Sequence, residues 1–231
     1  ESNDPQSKRI TMLRKLILAL SFSSLAAFSG SVLAAAFDIT DIEGRKVHFE
    51  DQPKTFIVAN YIANFMMVGG AASLEKVVAL TKDGWEDTRY GEYQVFTKSF
   101  PKMKDLPSIG GYHDDILNAE KILSLHPDVL LIGRTQYAEN SQRIKTFEKA
   151  GIKVVVLDYH AMTTVNHTLS TEILGKLLGR ERIAEAQNKT YKEALDHVYS
   201  TIVKLPDDQV GTKVYMETAS KGLARYGNSY N

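Results

Sequence analysis

IGGYHDDILNAEKILSLHPDVLLI, residues 109–132, is the stretch that decides the fold. Its last four residues, Val129–Ile132, are aliphatic throughout with no polar alternation, as expected of a parallel strand buried on both faces. Before them, Ile116–Leu125 carries a helical pattern. Proline cannot continue a helix and disfavours the α region in the residue before it, so His126-Pro127 ends that helix. Asn118 suits the N-cap, which puts Glu120 in the first turn, where its charge complements the helix dipole. Working outward, Phe56–Ala59, Val77–Leu80 and Val154–Leu157 repeat the unalternating strand signal. Helical patterns lie between them: Ile62–Val68, stopped by Gly69-Gly70, and Asn140–Ala150, stopped by Gly151. Alternating strands and helices define a doubly wound α/β lobe, and such sheets gather a ligand at the carboxyl ends of their strands.

The flanks extend this reading. Phe37–Phe49 alternates around Glu43-Gly44, a hairpin signal closed by Pro53. From Thr168 to about Lys204 the pattern is helical without a strand. A first helix reaches Leu178-Gly179, and a second runs from Glu181 to Leu205. Ile183, Ala186, Tyr191, Ala194, Leu195, Val198 and Ile202 form its expected core-facing stripe. Pro206 ends it, and Lys213–Thr218 reads as a new strand opening a second lobe. One strand and a loop make no domain, so the chain is expected to be a fragment missing most of that lobe. The expected segments are residues 1–36, upstream sequence and signal peptide; 37–165, the N-terminal ligand-binding lobe; 166–206, a helical linker; and 207–231, the start of a truncated C-terminal lobe.

Met12–Lys15 is a short basic start, Leu16–Phe37 carries no charge, and the run passes through Ala34-Ala35-Ala36. These are the three parts of a secretory signal, with cleavage expected after Ala34 or Ala36. Five serines and Gly30 dilute the run against a retained membrane anchor. Residues 1–36 hold four of the 28 basic and two of the 28 acidic residues, so the remainder has a net charge near −2. That argues against a nucleic-acid or anionic-membrane partner. The chain has no cysteine, which excludes disulfides, thiolate metal sites, a Cys nucleophile and a lipid-modified N-terminal Cys. A soluble periplasmic monomer is the expected outcome. No Gly-x-Ser-x-Gly, His-Glu-x-x-His, Walker loop or dinucleotide fingerprint is present, so an enzyme is not expected.

The block at 109–132 resembles the most recognisable motif of the binding proteins that serve ABC importers of siderophores, haem and cobalamin. The hairpin at Thr40-Asp41 and Gly44-Arg45, the long helix near 181–205, Val214–Glu217 and Gly227–Tyr230 are similar to further parts of that family, in the same order. The resemblance implies two doubly wound α/β lobes joined by one long interlobe helix, with ligand in the cleft between them. It implies no intrinsic cofactor, a metal chelate as cargo, and a permease dimer as partner, onto which Glu120 would dock.

Strand ends and lobe order then give the ligand-binding candidates. They are Asn60 and Tyr61 after the first strand; Trp85, Arg89 and Tyr90 after the second; Tyr112 and His113 before the 118–125 helix; Arg134 and Tyr137 after the third; Tyr159 and His160 after the fourth; and Arg225 and Tyr226 in the second lobe. Rings and guanidiniums suit an aromatic, anionic metal chelate. Trp85, read as exposed in a loop, suits a binding platform. His113 and His160 could complete a metal's coordination, whereas His126 reads as structural. A ferric siderophore is the expected cargo. Haem, cobalamin, or a nickel or other metal complex stay open, as does a periplasmic sensor without transport.

Overall fold

The structure is a computed structural model that describes residues 36–112, 114–161 and 163–206. The chain divides into two units; in the smaller, described at residues 36–37 and 49–51, the Phe37 and Phe49 rings stack at 5.1 Å. The larger unit, Asp38–His48 together with the chain from Gln52, carries the sheet and its helices.

Strands β1 (Phe37–Thr40) and β2 (Lys46–Phe49) form a two-stranded sheet around the expected turn. Strands β3 (Phe56–Val58), β4 (Val77–Leu80), β5 (Val129–Gly133) and β6 (Lys153–Leu157) form a parallel sheet in the order β4-β3-β5-β6. All four sit where the aliphatic runs place them. Every residue of β3 and β5 is buried, and all of β6 but Lys153. Burying each such Val, Leu or Ile side chain contributes roughly 1.5–3 kcal/mol, so the sheet is the core.

Helices α1 (Ile62–Gly69), α5 (Ala119–Leu125) and α7 (Ser141–Lys149) match expectation. The Asn118 side chain caps α5, accepting from the Lys121 N–H at 3.0 Å. His126 closes α5 at φ 42°, and its Nε2 lies 2.9 Å from the Ala150 carbonyl, in agreement with a structural role. Four further helices stand where loops were expected: α2 (Asp83–Asp87), α3 (Tyr90–Ser99), α4 (Lys102–Asp105) and α6 (Arg134–Glu139). All are short, and their apolar residues are too few to show a period.

Helix α8 (Thr164–Leu178) packs on α1, β6 and α9 (Glu181–Ile202). The expected stripe on α9 is corrected. Its covered residues are Ala184 and Asn188, with Tyr191 and Leu195 half-buried. Ile183, Val198 and Ile202 are 43, 49 and 40% exposed. Ala184 fits because Gly175 of α8 leaves it space; a Cβ at Gly175 would lie 2.7 Å from the Ala184 methyl.

A buried aspartate fastens the hairpin to the sheet. Asp41 accepts from the backbone N–H groups of Glu43 and Arg45, both at 3.0 Å, and of Val156 at 3.2 Å. Desolvation by burial raises its carboxyl above the usual range, although these donors and Arg45 pull against it.

Candidate functional site

The carboxyl ends of β3, β4 and β6 open into a groove of about 410 Å³. Asn60, Tyr61, Trp85, Arg89, Tyr112, Tyr159 and His160 all line it, seven of the candidates read from the sequence. Asn64, Thr81, Glu92 and His167 line it as well. Thr81 directly follows β4 and lies within reach of strand-end counting, whereas the other three escape it for different reasons. Asn64 lies one turn inside α1, Glu92 sits on the unexpected α3, and His167 is on the first turn of α8.

Each loop has a local reason for its shape. Tyr61 begins α1 at φ 63°, a left-handed conformation that bulky residues rarely adopt and that tends to mark functional positions. Its ring covers Gly133, where a Cβ would lie 2.9 Å from the Asn60 amide nitrogen and 3.4 Å from the Tyr61 hydroxyl. At the end of β6, the buried Asp158 accepts from the N–H groups of His160 (2.9 Å) and Ala161 (3.0 Å), and its other oxygen accepts from the Asn166 side chain at 2.9 Å. That carboxylate shapes the turn presenting Tyr159 and His160. Elsewhere along the groove, the Tyr112 ring rests on Gly84, where any Cβ would overlap it.

The rings are continuous. His160 meets Tyr61 edge-on at 5.2 Å, Tyr61 meets Tyr159 at 5.1 Å, and Tyr159 meets His167 at 5.2 Å. His167 in turn stacks on Tyr191 of α9 at 5.3 Å. The Tyr61 hydroxyl lies 3.3 Å from His160 Nδ1, the Tyr159 hydroxyl 3.0 Å from Thr171, and His167 Nε2 2.8 Å from the Tyr159 carbonyl. Burial pushes both phenols, Tyr61 and Tyr159, up to about 12, with the Asp158 charge adding at Tyr61. At neutral pH both are therefore neutral hydrogen-bonding groups.

Several expectations are corrected. Trp85 is no exposed platform: it is 6% exposed, lies on α2, and packs edge-on against Tyr93 and Phe96 at 5.6 and 5.1 Å. It still contributes to the groove's lining. Tyr90 points elsewhere, 55% exposed beside a separate depression lined by Tyr93, Gln94 and Lys98. Arg134 is outside the groove because the chain turns into α6 directly after β5; its Nε donates to Glu43 at 2.6 Å, and a second nitrogen lies 3.8 Å from Asp158. Glu43 raises its pKa further. Tyr137 packs against the core with the Arg45 guanidinium 5.1 Å over its ring. Arg89 remains in the groove, 3.7 Å from the Glu92 carboxylate. The described wall is thus aromatic and close to neutral. Glu120 is exposed in the first turn of α5. His113, Arg225 and Tyr226 lie outside the described residues. Among the described residues no three His, Asp or Glu side chains come together to hold a metal, and no helix is long and apolar enough to cross a membrane.

A parallel sheet with helices about it and a groove at its strand ends defines an α/β lobe. The family model described as periplasmic binding protein matches residues 53–229, and the chain belongs to that family. The TroA-like periplasmic binding protein FepB from Veillonella parvula is 26% identical with a TM-score of 0.65, over 73% of this chain and 50% of its own. The molybdate periplasmic binding protein MolA of Haemophilus influenzae is 16% identical (TM-score 0.60; 74% and 55% covered). The petrobactin-binding protein YclQ from Bacillus subtilis is 17% identical (TM-score 0.53; 73% and 54% covered). The chain spans about half the length of these solved structures. No curated protein sequence matches it.

Proposed function

We propose that this chain supplies one wall of an exported solute-binding protein that captures a metal chelate, a ferric siderophore first, and delivers it to an ABC-type permease. The observation that carries the reading is the groove at the strand ends, where Tyr61, Tyr112, Tyr159 and His160 present rings and polar edges to one space. Flat conjugated or catecholate ligands stack on such rings and take hydrogen bonds from neutral phenols. Membership of the periplasmic binding protein family supports export, and the segment at residues 12–36 would serve as its cleaved signal. Glu120 would meet a basic residue of the permease, where charge complementarity sets encounter and register.

A second reading, haem, is favoured by one observation: His160 is exposed beside Tyr61 on a wall where Arg89 is offset by Glu92. The family likeness also leaves cobalamin, a nickel complex and a sensor without transport as less supported variants. Titrating full-length protein with ferric petrobactin, haemin, molybdate and free Ni²⁺ while following Trp85 fluorescence separates these. Quenching by the ferric siderophore alone is expected. Quenching by haemin, abolished in His160→Ala, would move the assignment to haem, and a response to none of the four would reject the groove as a chelate site.

A further inference from the structure

Two loops of the groove, Asn60–Tyr61 and the one bearing Tyr112, meet at one buried side chain that does not itself line the groove. Gln136, on α6, is 1% exposed. Its amide nitrogen donates to the carbonyls of Ala59 and Gly111, both at 3.1 Å, and its oxygen accepts from the Gly133 N–H at 3.1 Å. Both donors and the acceptor are engaged. Ala59 precedes Asn60 and Tyr61, and Gly111 precedes Tyr112, so the two carbonyls belong to the peptides from which the two loops spring. One turn later Asn140, also 1% exposed, accepts from the Leu117 N–H at 3.0 Å and donates to the Asp115 and Gln136 carbonyls.

The segment so held is poorly suited to hold itself. Gly111 has φ +89°, with Leu117 filling the space a Cβ would need, and Asp115 is left-handed at φ 58°. Its backbone groups would be costly to leave unpaired in a buried place. Leucine at 136 would fill the volume and satisfy none of the three groups, while glutamate would turn a carboxylate against two carbonyls.

From this geometry we infer that Gln136 is a positioning residue of the ligand site. It sets the separation of the Asn60–Tyr61 loop from the Tyr112 loop, and with it the size of flat ligand that fits between. Only the last step, the effect on affinity, rests on the groove being the chelate site.

The test uses full-length protein carrying Gln136→Leu, with backbone amide exchange as its main readout. The Tyr112 amide, bonded to Asp83 at 3.3 Å, and the Leu117 amide are expected to exchange roughly tenfold faster or more, while Leu130–Ile132 keep wild-type protection. Trp85 emission should shift, since Tyr112 rests on the neighbouring Gly84, and affinity for ferric petrobactin should fall. Wild-type protection at Tyr112 and Leu117, or an equal acceleration at every amide, would overturn the positioning role; the second result would leave Gln136 a stabilising residue only. Should the variant not fold, the Gln136 side-chain amide protons of the wild type decide: slow exchange supports the clamp, and exchange at the rate of a free glutamine sinks it. Loosened loops in a protein whose wild type binds no ferric petrobactin would reject the ligand assignment and leave the clamp standing.

Discussion

Tyr61 and Tyr159 carry the densest physics of the site. Their rings meet at 5.1 Å, and burial pushes both phenols up to about 12. The sign follows from the unfolded reference near 10: a raised folded-state pKa leaves the associated stability intact below about pH 10, and it is lost as pH climbs toward 12. An ultraviolet titration of tyrosinate should therefore show a late step that Tyr61→Phe and Tyr159→Phe each diminish, without altering the absorbance gained near pH 10. Disappearance of the early step instead would mean that these phenols are solvated. The strand-end rule finds both residues, because each lies within three residues of the end of a strand that is aliphatic to its last residue. It overreached at Arg134, where Gly133 allows Asn60 and Tyr61 to close over the end of β5. Nothing in the sequence says that a Glu43 on a distant hairpin will draw the guanidinium aside. Trp85 departs from expectation for a related reason: its partners Tyr93 and Phe96 come from a helix with no visible apolar period.

Helix α5 separates two jobs that the sequence places side by side. Asn118 caps it through the Lys121 N–H, so Asn118→Ala should cost about 1 kcal/mol, read as a lowering of Tm by roughly 2–4 °C. Glu120, one residue inside the helix and exposed, makes no hydrogen bond comparable to that cap among the described contacts. Glu120→Ala should leave Tm within about 1 °C, as surface substitutions do, and leave ligand affinity unchanged while transport in cells falls. A loss of ligand affinity would contradict a docking role. The elements legible from sequence are those whose burial is one-sided or total: β3 to β6, α1, α5 and α7 all announce themselves by uninterrupted aliphatic runs or clean stops. Helices α2, α3, α4 and α6 do not, since α6 is fixed mainly by the polar clamp of Gln136 and Asn140, which hydrophobic periodicity cannot register.

At the scale of the whole molecule, helix α9 is where sequence and structure part furthest. Its first half is covered by α8 through Ala184 and Asn188, and His167 of the groove stacks on its Tyr191. Beyond Leu195 the apolar residues Val198, Ile202 and Val203 stay exposed among the described residues. The expected core-facing stripe joins Val198 and Ile202 to the first half because periodicity reports that a face is apolar, not which body covers it. The solved relatives are about twice the matched length, and in the proposed reading a second wall closes over the groove. A groove of about 410 Å³ open on one side leaves much of a siderophore-sized ligand in water, whereas tight small-molecule sites bury about 70–90% of their ligand. A fragment comprising residues 37–231 should accordingly bind ferric petrobactin roughly a hundredfold or more weakly than the full-length protein, a difference of about 2.7 kcal/mol. Calorimetry on the two forms measures this directly. Equal micromolar affinity in the fragment would show that the described wall is the entire site and that no second wall is needed to hold the ligand.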